Sequence, residues 1–404
     1  MTEADHLDAV DVVIVGAGAA GLSLAHRLTA SPGPHGLPAS VVLVEPPAGS
    51  PLRSPARTWC SWEHEQDEYD SLVAARWHRM RITARDGRHI SFTSPRAYRM
   101  IRSADFLHGV GAVLERRPGV RRVAATVTQV RDVPGGAEVT GHDVAGRAIR
   151  LNARWVFDSR PPSDLPAART TLLQHFRGWF VTTRDDRFDP EVADLMDFRT
   201  RQPEHGLSFA YVLPFTPREA LVEYTEFSAE PMTGSAYDAA LEEYVRGRRM
   251  AHYSVTAVEQ GVIPMTDGRF PRRAGRSVFR IGVAGGATRP STGYSFAGIQ
   301  RQSAAVAAAW QAGRTPRPPV PHAARHRLMD AVMLRALATG RAGGAGFFEA
   351  LFSRNPPDRI LRFLDGTSTL REEWAIGLTT PVPAMLRSLL ELPLVPRRKA
   401  TACP

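Results

Sequence analysis

The apolar run Asp11-Val-Val-Ile-Val15 leads directly into Gly16-Ala-Gly-Ala-Ala-Gly21, and no other stretch restricts the fold as much. Four successive branched apolar residues read as a strand buried on both faces of a parallel sheet. The glycine spacing is that of a strand-to-helix turn that grips a dinucleotide. Gly16 permits the tight turn, Gly18 lets the backbone approach a pyrophosphate, and Gly21 lets the helix pack on the strand. A helix is predicted over Leu22–Thr29. Its N-terminus offers unpaired N–H groups and a partial positive charge to phosphates. A Pro/Gly loop, Ser31–Pro38, then leads to a second apolar strand, Val41–Glu45. Glu45 ends that strand, where a carboxylate accepts the ribose hydroxyls of an adenosine and repels the extra phosphate of NADP. The alternative is a glycine-rich turn in an α/β protein that binds nothing.

A second glycine element answers the first from far along the chain: Gly282-Val-Ala-Gly-Gly-Ala-Thr-Arg-Pro-Ser-Thr-Gly-Tyr-Ser-Phe296. A strand is predicted over Ser277–Val283 and an Ala-rich helix over Tyr294–Ala312. Such an element can aim backbone N–H groups at the pyrimidine edge of a flavin, which becomes negative on reduction. A dinucleotide held at both ends favours FAD over NAD. A helix with a Gly/Pro entry and no ligand is the competing reading.

The chain has 404 residues, enough for two or three domains and a large core, and 43% hydrophobic residues mark it as globular. Its net charge is +10, and Lys399 is the only lysine among 51 basic residues. That balance suits anionic lipid or phosphate. The basic residues are scattered and not interleaved with aromatics, so nucleic acid is not expected. Two cysteines, Cys60 and Cys403, are too few for a disulfide framework or a cysteine metal site and fit a reducing cytoplasm. The acidic start Met1–His6 lacks the basic and apolar regions of a signal peptide. No apolar run approaches the roughly 20 residues that span a bilayer, so membrane contact is expected from the surface only.

Between the glycine elements, residues 122–156 read as short strands with turns at Pro134-Gly135 and around Gly141. Asn152–Phe157 is placed back in the parallel sheet. Residues 165–265 read as a mixed sheet with few long helices. Arg314–Val320 is a Pro/Arg linker, and the remainder is helical. The expected division is 1–60, first part of the dinucleotide domain; 61–160, a mixed segment returning to it; 161–270, a sheet domain for substrate; 271–315, second part of the dinucleotide domain; and 316–404, a helical region.

Several segments together, in order, resemble bacterial lycopene cyclases, flavoproteins of carotenoid biosynthesis. They are the N-terminal glycine loop, Arg57-Thr-Trp-Cys-Ser-Trp62, Tyr98–Ile101, Val156–Arg160, Gln174–Trp179, Met196–Arg199, Tyr211–Pro214, Leu221–Ser228, Glu259–Met265 and Gly285–Tyr294. The resemblance covers nearly the whole chain. Tyr224 stands where many relatives carry Asp or Glu, and Ser61 where an aromatic is common. The resemblance implies an α/β fold: a glutathione-reductase-like Rossmann FAD-binding domain with an inserted mixed β-sheet substrate domain and a helical C-terminal region. It implies that the ψ-end groups of linear lycopene are closed into β-ionone rings, giving γ-carotene and β-carotene. This occurs without net redox change yet requires reduced FAD, with NAD(P)H as reductant. Implied partners are the carotenoid substrate, a membrane surface on its cytoplasmic side and other carotenoid enzymes. The competing classes are an FAD-dependent monooxygenase or halogenase and a non-catalytic carotenoid-binding flavoprotein. Against the first, Gly282-Val283 replaces the Gly-Asp of hydroxylases, and Gly178-Trp179-Phe-Val-Thr-Thr does not match the halogenase Gly-Trp-x-Trp-x-Ile-Pro.

Ring closure needs an acid that protonates an alkene, a pocket that tolerates a carbocation and a base. Glu223 is the leading acid. In a strand over Leu221–Phe227 it shares a face with Leu221, Thr225 and Phe227, while Glu226 falls on the opposite face with Val222 and Tyr224. A carboxyl on an apolar face is desolvated and stays protonated near neutral pH. Glu226 is the reserve acid. Asp197 and Glu259 are candidates to orient the acid or contribute charge, ordinary ion pairs being the alternative. Arg57 and Arg289, with Gly285, Gly286 and Gly293, are candidates for the flavin. Trp59, Trp62, Trp179, Phe176, Tyr211 and Phe209 are candidates for a tunnel lining with π-faces toward a cation, or for plain core. Met385–Val395, Leu-rich and followed by Arg397-Arg-Lys399, is a candidate membrane face. A packed terminal helix is its alternative. No metal is expected.

Overall fold

The structure, a computed structural model, describes residues 10–34, 36–63 and 68–399. The readings at Met1–His6 and Cys403 lie outside these residues. The chain opens with β1 (Val10–Val15), α1 (Ala19–Ala30), β2 (Val41–Glu45) and β3 (Thr58–Glu63), then β4 (Val73–Thr83), β5 (His89–Arg102) and α2 (Ser103–Glu115). It continues through β6 (Val120–Val133), β7 (Gly136–Asp143), β8 (Ala148–Asp158), β9 (Thr171–Thr183), β10 (Val192–Asp197), β11 (Leu207–Pro214) and β12 (Glu219–Ser228). Then come α3 (Gly234–Gly247), β13 (Tyr253–Thr266), β14 (Val278–Arg280) and α4 (Phe296–Gln311). The end is helical: α5 (Ala324–Ala338), α6 (Gly344–Arg354), α7 (Pro357–Asp365), α8 (Leu370–Gly377) and α9 (Val382–Glu391).

The first sheet runs parallel through β14, β8, β1, β2 and β6, with β7 antiparallel to both β6 and β8. Its apolar strands are buried on both faces because both are covered. Val12, Ile14 and Leu43 pack with residues of α1, α2 and α4. Val13, Val15, Val42 and Val44 pack against Ala137, Val139 and Leu151 of the β6–β8 meander. Helix α1 starts three residues earlier than Leu22, directly on Gly18.

Three expectations are corrected here. Gly141 is no turn. It lies inside β7 opposite Val127 and Ile149, and a Cβ there would sit 2.2 Å from the Thr126 carbonyl, so glycine serves close strand approach. The chain reverses instead around Gly146, whose N–H bonds the Asp143 carbonyl. The strand expected over Ser277–Val283 shortens to Val278–Arg280. Gly282 takes φ +64°, turning the chain into a 3-10 turn over Gly282–Gly285. Helix α4 likewise begins only at Phe296, after Gly293 at φ +72°.

The second sheet has the order β13-β9-β12-β11-β10-β4-β5-β3, with β10–β4 its parallel pair. Strand alternation gives it two faces. One, carrying Leu221, Phe227, Tyr211 and Leu213, packs against residues of α5, α6 and α7. The other, carrying Val222, Tyr224, Ala210 and Val212, packs under α3 through Tyr237, Leu241 and Tyr244. The first sheet and the second sheet's first face meet through β3, whose Trp59 stacks on Phe296 at the start of α4 with ring centroids 5.6 Å apart.

Candidate active site

A cavity of about 620 Å³, part of it open to solvent, lies between the second sheet and the N-terminus of α4. Trp59, Phe176, Tyr211, Tyr294 and Phe296 supply aromatic wall, and Glu223 enters it from β12. A second, narrow cleft of about 370 Å³, part of it open to solvent, shares Tyr211 and Tyr294 with the first and extends between Trp62, Phe227 and the helical side chains Phe348, Phe352 and Leu364. The two tyrosine hydroxyls, 3.2 Å apart, stand at the join. Of the aromatics singled out in the sequence, Phe209 is core on this face and Trp179 lies on the other, its indole N–H bonded to Asp238.

Glu223 shares its face with Leu221, Thr225 and Phe227, as strand alternation requires. Thr225 Oγ1 donates to its Oε1 at 2.9 Å. Across β9 its neighbour is Gly178, and across Gly178 stands Glu259 of β13. A Cβ on Gly178 would fall 3.4 Å from Glu223 Cβ and 3.2 Å from Glu259 Cγ, so the missing side chain is what lets the two carboxyls meet. Burial pushes the Glu223 carboxyl far above the ordinary carboxylate range, and the facing Glu259 charge pushes it further. Burial raises Glu259 too, but Thr58 and Arg57 oppose that rise. Thr58 Oγ1 donates to Glu259 Oε2 at 2.8 Å. The proton of the pair therefore belongs on Glu223.

The other two acids lie elsewhere. Glu226 is on the α3 face, accepting from Tyr224 Oη at 2.7 Å, with His175 Nε2 3.8 Å away. Asp197, fully buried on that face, accepts from Arg199 Nε at 2.9 Å and Tyr244 Oη at 2.7 Å, with Arg248 at 3.4 Å. Although burial alone would raise it, these donors hold its carboxyl below the ordinary range. The structure does not bring either acid to the cavity. It brings residues for which no role was assigned: Cys60, Tyr98, Gln174 and Tyr294. All four lie within the family motifs, so the motif itself was the available signal.

The glycine loop has the form a dinucleotide needs. Gly16 has φ +101°, and a Cβ there would meet Ser159 Oγ at 2.3 Å; a Cβ on Gly21 would meet the Gly16 carbonyl at 1.9 Å. A Cβ on Gly18 would touch nothing within 4 Å. The first and third glycines are thus required by the protein, and the second borders open space. No side chain caps α1 or α4, leaving N–H groups free for an anionic ligand. Glu45 is bonded by Arg122 and, at 3.2 Å, by Arg53; a carboxylate has about four acceptor positions, so room for ribose hydroxyls remains. Gly293 lines the cavity, and a Cβ there would strike Gln174 Oε1, a buried oxygen without a hydrogen-bond partner. Gly285 and Gly286 form the turn beside it. These features fit FAD. Arg57 lies beside Glu259 with its buried Nε unpartnered. Arg289 is buried and tied instead to Asp330 of α5, Nε to Oδ1 at 3.1 Å, which leaves its Nη1 free.

The family described as lycopene cyclase protein matches residues 11–390. The chain belongs to the lycopene cyclase family. No curated protein matches the sequence significantly. Among solved structures, it is similar to a geranylgeranyl bacteriochlorophyll reductase-like protein from Thermoplasma acidophilum (14% identity, TM-score 0.62, covering 95% of this chain and 96% of that one). It is also similar to a flavoprotein/dehydrogenase from Cytophaga hutchinsonii (14%, 0.61, 95% and 99%) and to a flavin-dependent brominase (15%, 0.60, 92% and 97%). At these identities the likeness shows the fold, that of flavin-dependent enzymes with a helical C-terminal region. In this chain the buried carboxyls Glu223 and Glu259 stand on the second sheet of that fold.

Proposed function

We propose that the chain closes ψ-end groups of linear lycopene into β-ionone rings, forming γ-carotene and β-carotene, by proton-initiated cyclisation that consumes no redox equivalent. The observation that carries this reading is Glu223, a carboxyl kept protonated at the wall of an aromatic cavity. Gly16, Gly18, Gly21 and Glu45 would hold the pyrophosphate and ribose of FAD, and the segment Gly285–Gly293 its ring system. Reduced FAD would supply negative charge beside the end group, with NAD(P)H as the external reductant. Glu223 donates its proton to the terminal alkene. The neighbouring double bond closes the ring, and loss of a ring proton restores neutrality. A raised pKa keeps the proton available at neutral pH but makes a weak acid, so the aromatic wall must stabilise the developing cation.

Anaerobic incubation of the purified protein with lycopene and reduced FAD, followed by product analysis, tests this reading. Cyclic product with no flavin oxidation supports it. In a parallel aerobic incubation, oxygen-dependent NAD(P)H consumption with a hydroxylated or halogenated product would replace it. Gly18→Val tests the cofactor site: the new side chain meets only open space, so the protein should fold and bind no FAD.

We also propose that the enzyme works at the inner face of the cell membrane. No helix among the described residues is long and apolar enough to cross one. The surface of α8 and α9 exposes Leu370, Trp374, Leu378, Leu386, Leu390 and Leu394. The acids there are engaged by Arg362, Arg325, Arg335 and Arg341, which leaves exposed Arg371 and Arg387 for anionic headgroups. Flotation with anionic liposomes should carry the wild type upward and leave Trp374→Glu largely behind.

A further inference from the structure

From the sequence, Glu259 is a candidate to orient the acid or contribute charge, with an ordinary ion pair as the alternative. Its surroundings assign it more. Its Oε2 is held by Thr58, and its Oε1 is buried with no hydrogen-bond partner, on the strand position that faces Glu223 across Gly178. A solitary buried carboxylate oxygen is costly unless a proton reaches it. Glu223 in turn has Oε1 engaged by Thr225, which leaves its other oxygen to carry the proton. The intervening strand contributes Gly178, where a Cβ would crowd Leu221 Cδ1 at 2.8 Å and press on Glu259 Cγ at 3.2 Å. Two acids on strands that are not neighbours thus meet across a third.

Resting on the proposed acid role of Glu223, we infer that Glu259 is the positioning residue of the reaction: its carboxylate accepts the Glu223 proton across the Gly178 gap and fixes which oxygen of Glu223 carries it toward the cavity. The pair holds one proton and one negative charge. When Glu223 gives its proton to the alkene, the pair gains a second negative charge just as the substrate gains a positive one. When the ring proton leaves and a proton returns to Glu223, the resting state is restored, so the cycle balances without a co-reactant. Arg57, beside Glu259, offsets the resting charge in part. The remaining titratable groups that face Glu223 are Cys60, Tyr211 and Tyr294, and burial keeps all three neutral. Among the described residues no cation pairs with Glu223, so after burial, the larger cause, the Glu259 charge is what raises its titration.

The test is Glu259→Gln. Its amide fills the same space and removes the charge. Glu223 acts only while protonated, so activity falls as pH rises through its pKa. Without the facing anion that pKa falls, and the alkaline limb of kcat/KM should move down by about one pH unit or more. Glu259→Asp should restore much of the wild-type profile. Carboxyl-region infrared spectra of the protein without substrate provide a readout that needs no turnover. A protonated carboxyl band at neutral pH should vanish in Glu223→Gln and titrate at lower pH in Glu259→Gln. A folded Glu259→Gln protein whose band and rate profile both titrate like the wild type would overturn the inference. If the infrared result holds but lycopene is not turned over, the pair stands and the cyclase reading fails.

Discussion

Glu223 and Glu226 lie three residues apart on one strand, yet the two faces of the sheet make them different acids. On the α3 face each buried carboxyl has a donor. Asp197 takes Arg199, Tyr244 and Arg248; Asp194 takes Arg81 and Arg248; Glu226 takes the Tyr224 hydroxyl. On the cavity face Glu223 meets a threonine hydroxyl and another carboxyl. The first arrangement stabilises charge and ties the strands to α3. The second keeps a proton in place. The carboxyl group is the same on both faces, so the surrounding donors, more than burial, decide whether it braces the fold or does chemistry.

The contrast can be broken most sharply at Glu223. Glu223→Gln should reduce cyclisation by about a hundredfold or more, because one general acid is worth that much and an alkene has no easy alternative. Its FAD content, read by absorbance, should be unchanged. Asp197→Asn should do the reverse, lowering stability by about 3 kcal/mol in denaturant unfolding, since it strips one partner from a buried charge network, while turnover per folded molecule persists. The pH dependences should also oppose each other. The Asp197 carboxyl is held low, so its stabilisation is present above the ordinary aspartate range and is lost on acidification. The gap between wild type and Asp197→Asn should therefore close as pH falls. The Glu223 carboxyl is held high, so its stabilisation is full below the ordinary glutamate range and is lost as pH rises through the shifted value. Thermal unfolding should show Glu223→Gln gaining on the wild type as pH rises above the ordinary glutamate range, with no further gain once pH passes the shifted value. The smallest effect belongs to Glu226→Gln, which loses about 1 kcal/mol at most and keeps activity within a few-fold.

The sequence carried the parts of this picture that depend on local period. The apolar runs at Val12–Val15 and Val41–Val44, the glycine loop and the opposite faces of Glu223 and Glu226 follow from repeats of two residues and from the dinucleotide spacing. What it did not carry depends on register between distant strands. Glu259 meets Glu223 only because β12 and β13 both pair with β9 and both place their acid opposite Gly178. A glycine inside a quoted motif gave no hint of being a gap between two carboxyls. Arg289 finds Asp330 across a linker and a helix, a contact no spacing rule anticipates. Gly141 misled because a glycine that permits close strand approach reads like one that turns the chain.

The most direct test of the central claim is cyclisation in heavy water, under anaerobic conditions with reduced FAD, comparing the wild type with Glu223→Gln. The account predicts one solvent deuterium per ring formed by the wild type, no net flavin oxidation, and essentially no product from the variant. Ring product free of deuterium, or flavin oxidised in step with product, would contradict it.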